Sequence, residues 1–83
     1  MSDEDRVMQE TRDEISKALD LLGAESSESP AGAAILRALA ATDPQRRRVY
    51  LREALTALPE GDGTAAARVL LEDALDELAA LRA

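Results

Sequence analysis

Any chemistry in this chain must come from carboxylates, arginines, one lysine, serine and threonine hydroxyls and a single phenol. The sequence holds no histidine, cysteine, tryptophan or phenylalanine, and Tyr50 is its only aromatic residue. The usual general base near neutral pH is therefore missing, as are thiolate ligands and the aromatic walls of most small-molecule pockets. Ser/His/Asp and Cys/His nucleophile systems cannot be assembled from these residues. Tyr50 would serve as an acid or base only with a strongly shifted pKa; a half-buried ring with its hydroxyl at the rim is the simpler expectation.

Glu72, Asp73, Asp76 and Glu77 bring carboxylates into i,i+4 proximity on a helix, a spacing that could hold a divalent cation. The Glu-x-x-His pairing of di-iron bundles is absent, so a solvated face is expected, with neither metal nor cofactor. Glu60-Gly61-Asp62-Gly63-Thr64 begins like a calcium loop. Ala65 then stands where the turn glycine belongs, and Leu71 where the bidentate glutamate should be. No lysine follows these glycines to reach a phosphate, so they do not form a phosphate loop either.

The remaining cluster is cationic. Between Arg37 and Arg52 lie Arg37, Arg46, Arg47, Arg48 and Arg52 against the single acid Asp43, in a chain of net charge −7. Arg46, Arg47 and Arg48 also fall in the first turns of an expected helix, where the macrodipole disfavours cations by about a few tenths of a kcal/mol. A cluster placed against that preference implies a counterpart. The foremost expectation is pairing with acids of the first or last helix, or with the same acids on a second subunit. An acidic protein partner comes next. The net charge argues against nucleic acid.

Four helices are expected to position these residues. The first runs over about 3–22, with Ser2 as N-cap, acids in its first turn and Gly23 as the stop. Its stripe is Met8, Thr11, Ile15, Ala18 and Leu22; Asp13 and Lys17 on the far face suit an i,i+4 pair. Ala24 to Ser29 reads as a polar connector. Ser29 and Pro30 then open a second helix over about 30–42, and Asp43-Pro44 both stops it and starts a third over about 44–58. Leu51, Leu55 and Leu58 line the third, with Ala54 and Tyr50 alongside. After Pro59-Glu60-Gly61-Asp62-Gly63, a fourth helix is expected over about 65–82, capped by Thr64 or Asp62, with Ala67, Leu71, Ala74, Leu78 and Leu81 inward.

The second helix organises the rest. SPAGAAILRALAAT, Ser29 to Thr42, has Arg37 as its one charge, and a helix apolar nearly all round must be covered from more than one side. The cover can come from the other helices, a second copy or a partner. The chain of 83 residues has room for one domain, residues 1–83, and one modest core. The acidic start is not that of a signal peptide, and no apolar run approaches a membrane span of roughly 20 residues, so a cytoplasmic protein with no membrane association is expected.

Arg52 to Arg82, REALTALPEGDGTAAARVLLEDALDELAALR, resembles the leucine-rich helical hairpins in dimerising docking domains of modular polyketide synthases. The resemblance implies a noncatalytic dimer that recruits a neighbouring protein. Asp43-Pro44 followed by a helix, Gly61 and Ala66 is similar to one tetratricopeptide unit, except that Asp73 occupies its later small-residue position.

These observations point to an all-α protein, a compact four-helix bundle or orthogonal helical array. Its expected role is noncatalytic protein–protein interaction, oligomerisation or docking, with itself as a homodimer or with a neighbouring protein of the same system. The expected interface is Ile35, Leu36 and Leu39 for buried contact, with Arg46, Arg47, Arg48 and Arg52 for orientation and Tyr50 beside them. The alternative is a small acidic inhibitor or antitoxin-like protein that covers a basic partner surface with the carboxylates of its first and fourth helices.

Overall fold

In the computed structural model, residues 2–23, 29–59 and 61–81 are described, the side chain of Asp62 excepted. They form α1 (Asp3–Leu22), α2 (Pro30–Ala40), α3 (Pro44–Ala57) and α4 (Asp62–Ala80). Ala24–Glu28 of the expected connector, Glu60 of the second loop, the Asp62 side chain proposed as a cap, and Arg82 lie outside this description.

The first three helices begin as their sequences dictate. The side chain of Ser2 accepts from the Asp5 amide, that of Ser29 from the Gly32 amide and that of Asp43 from the Arg46 amide. Each satisfies one amide that the first helical turn would leave unpaired. Pro30 and Pro44 occupy the first turn, where a missing N–H costs nothing. Gly23 closes α1 at φ 84°, a left-handed conformation that favours glycine.

The fourth start differs from expectation. The helix begins at Asp62, three residues before Ala65, with Gly61 at the N-cap and no side-chain cap. Thr64 is not the cap: its hydroxyl donates backwards to the carbonyls of Pro59 and Gly61, at 2.6 and 3.1 Å. Three helix ends are also shorter than expected: α4 stops at Ala80, with Leu81 as its C-cap, rather than at about 82. α2 stops at Ala40 rather than Thr42, and α3 at Ala57 rather than Leu58.

α1 packs most extensively against α4 and α2 against α3, with smaller α3–α4 and α1–α2 seams. Leu22, Ser29, Pro30, Leu58, Pro59 and Thr64 line one cleft, which brings the end of α1, the start of α2, the end of α3 and the start of α4 together. Glu4, Pro44 and Leu81 meet at another. Successive helices therefore run in opposite senses, in an all-α helical bundle or array. The longest dimension is 35 Å, and α1, with 20 residues at about 1.5 Å each, runs most of that length.

One core joins all four helices. It contains Val7, Ile15 and Ala18 of α1, Ala31, Ala34, Ile35 and Ala38 of α2, Leu51 and Ala54 of α3 with Leu58 beyond it, and Ala67, Leu71, Ala74 and Leu78 of α4. The periodic stripes thus point inward. The alanines of α2 are small enough to let α3 approach closely while Ile35 fills the centre.

Candidate interaction surface

The arginine-rich start of α3 divides into one buried residue and several exposed ones. Arg47 is only 3 % exposed. Its Nε donates to the Ala38 carbonyl at 2.9 Å, and its Nη2 to the carbonyls of Leu39 and Ala41 at 3.3 and 3.1 Å. Its Nη1 crosses to α1, donating to the Met8 carbonyl at 2.7 Å and to Thr11 Oγ1 at 3.1 Å. Thr11, buried in turn, donates its own proton to the Val7 carbonyl at 2.7 Å.

Arg47 is consequently a structural tie between three helices. A helix leaves its last carbonyls unpaired and partially negative; the planar guanidinium is a fork of donors shaped to collect several of them at once. Its position in the first turn of α3, unfavourable to that helix, is offset by the C-terminal end of α2. The counterpart is internal, as the sequence suggested, but consists of backbone carbonyls and a hydroxyl rather than carboxylates. Burial, followed by the nearby Arg12 charge, lowers the pKa of Arg47 from its usual value. Arg47 is therefore withdrawn from the expected orienting surface.

The other arginines differ. Arg37, Arg46 and Arg52 are exposed and Arg48 is half-buried. Among the described residues the one ion pair within 4 Å is Arg6 with Asp3, 3.6 Å apart on the surface of α1. Arg37, Arg46, Arg48 and Arg52 thus make no ion pair there, and the expected Asp13–Lys17 pair does not form. Arg48 lines a cleft with Glu4, Asp43, Pro44, Gln45 and Leu81, and its Nε is buried without a hydrogen-bond partner. On the α2–α3 seam, Arg37, Ala40, Ala41, Thr42, Arg46 and Tyr50 line a groove of about 220 Å³ in which no carboxylate takes part. Tyr50 is half-buried in its wall.

The apolar part of the expected interface separates as well. Ile35 is 0 % exposed and belongs to the chain's own core, so this fold does not offer it to a partner. Leu39 is half-buried against that core. Leu36 remains outside at 43 % exposure, and Val49 on α3, absent from the expected set, is 50 % exposed. Val49 shares the outer α3 face with Arg52, Glu53 and Thr56.

Among the described residues no three His, Cys, Asp or Glu side chains are grouped so as to hold a metal ion, and no helix is long and apolar enough to cross a membrane. No protein-family model, curated protein or solved structure matches the chain.

Proposed function

We propose that this chain is a noncatalytic helical interaction module that docks through the α2–α3 edge onto an acidic protein surface. The observation that carries the proposal is the set of exposed guanidiniums of Arg37, Arg46 and Arg52, without an ion pair among the described residues, in a chain of net charge −7. Such charges raise encounter rates and fix the orientation of a complex, and arginine is favoured where it stacks or binds carboxylates in two-pronged fashion. Leu36 and Val49 supply apolar contact on the same two helices. A second copy of the chain would fit, because α1 and α4 expose Glu10, Asp13, Glu72, Asp73 and Asp76. The absence of histidine and cysteine from the sequence supports a role without catalysis.

The test is association measured by sedimentation at micromolar concentration and at two salt levels. Arg46→Glu with Arg52→Glu should weaken self-association and remove its salt dependence while leaving the helical content intact. A folded chain that is monomeric at every concentration would refute self-docking. A protein captured from the source cell through those arginines would then identify a different acidic partner. Capture of a basic protein by the α1 and α4 carboxylates would instead support the inhibitor-like reading, which those exposed acids favour.

A further inference from the structure

The α1–α4 seam contains an arrangement that docking does not use. α1 packs on α4 along this seam, where the carboxylates of Glu14 on α1 and Glu77 on α4 lie close enough to act on one another. Both are half-buried, and the Oε2 atom of each is out of contact with solvent and has no hydrogen-bond partner. An ionised carboxylate can only accept. Two acceptors enclosed together cannot satisfy one another, whereas a single proton between them satisfies both.

The surrounding charges do not relieve the pair. Asp73, one turn before Glu77 on α4, and Glu10, one turn before Glu14 on α1, are both acidic, and both act on Glu14 in the same direction as Glu77. Lys17, three residues beyond Glu14, is exposed and makes no ion pair among the described residues. α2, which also packs on α1, brings only Arg37, and that residue lies in the α2–α3 groove. α3, packed on α4, directs Arg47 to the carbonyls of α2 and α1, and Arg48, whose buried Nε lies in the cleft with Glu4 and Leu81, makes no ion pair among the described residues.

We infer that Glu14 and Glu77 share one proton that closes the α1–α4 seam, so that the bundle loosens along this seam when that proton is lost. Burial, then the Glu77 hydrogen bond and the charges of Glu77, Asp73 and Glu10, raise the Glu14 pKa from 4.5 to about 7. The folded chain therefore binds a proton more tightly than the unfolded one, and stability falls with rising pH between those two values and levels off above them. The inference is independent of the docking proposal, since it concerns a different seam and needs no partner.

The sequence makes the test clean. With no histidine or cysteine, no other side chain ordinarily titrates between pH 5.5 and pH 8.5, limits that lie about one unit or more from the remaining reference values. Urea unfolding of the full chain in chelator-treated buffer should show the folding constant falling about thirtyfold over that interval. Glu14→Gln should flatten the profile and be the more stable protein at the upper end, because an amide donates where the carboxylate could not. A flat wild-type profile, or an unchanged slope in Glu14→Gln, would overturn the inference; the latter would assign the slope to the terminal amine. Should that variant fail to fold, the carboxyl carbon resonances of the wild type decide. A glutamate titrating near neutrality supports the shared proton, and titration of every glutamate below about pH 5.5 excludes it.

Discussion

Replacing Arg47 with methionine should be among the most damaging single changes in this bundle. Five hydrogen bonds of 2.7 to 3.3 Å to oxygen leave with the guanidinium. Not every acceptor is orphaned: the Ala38 carbonyl also receives the Ala41 amide at 3.3 Å, and the Met8 carbonyl the Thr11 hydroxyl at 3.3 Å. The Leu39 and Ala41 carbonyls, at the end of α2, lose the cation that gathers them. An unsatisfied buried acceptor costs about 1–3 kcal/mol, and the apolar methionine stem recovers part of the packing. The expected loss is about 3–4 kcal/mol, in line with breaking one side of a buried charged network. A domain of this length has about 4–12 kcal/mol in total, so the variant should be close to its unfolding threshold.

The assay is urea unfolding followed by helical circular dichroism, with Arg46→Met as reference. Arg46 is exposed and its truncation should cost less than about 0.5 kcal/mol. Arg47→Lys should fall between them, because one ammonium cannot span the acceptors on α1 and on α2 together. If Arg47→Met lies within about 1 kcal/mol of Arg46→Met, the guanidinium does not tie the helices and the account of the α3 start is wrong. The comparison also separates structure from docking: charge reversal at Arg47 would disturb the fold itself, so association must be tested at Arg46 and Arg52.

Ile35→Ala should cost about 2–5 kcal/mol by calorimetry, since the side chain is fully buried at the centre of α2. Ala38→Leu, also at a fully buried position, should cost about 1–3 kcal/mol by forcing α2 away from its neighbours; a neutral result would mean that the seam has spare room. Ser29→Ala should lower stability by about 1 kcal/mol through the lost cap on the Gly32 amide. Neutralising Arg12 as Arg12→Gln should raise stability by about a few tenths of a kcal/mol, because its charge opposes the buried Arg47.

The helices, their inward stripes and the caps at Ser2, Ser29 and Asp43 are determined by sequence alone, because each depends on neighbours within one or two turns. The bounds of α2 and α4 are not. α2 stops at Ala40 with Ala41 extended, where Arg47, from the next helix, takes the Leu39 and Ala41 carbonyls. α4 starts at Asp62 on backbone geometry without a side-chain cap.

The arginine cluster was legible as a feature needing a counterpart, but not which of its members meets one inside the molecule. Adjacent helical residues point about 100° apart, so only the packed bundle turns Arg47 inward and leaves Arg46 and Arg52 outside. Likewise, the apolar character of α2 required cover, while the tertiary fold decided that α2's neighbours bury Ile35 and leave Leu36 exposed. The Glu14–Glu77 encounter leaves no trace in local pattern, since the two are 63 residues apart by number (77 − 14) and only the antiparallel seam of α1 and α4 brings them together. Local periodicity and capping thus fix which segments coil and which sides are apolar; which charges become enclosed depends on the register between helices, a long-range property carried by no single stretch.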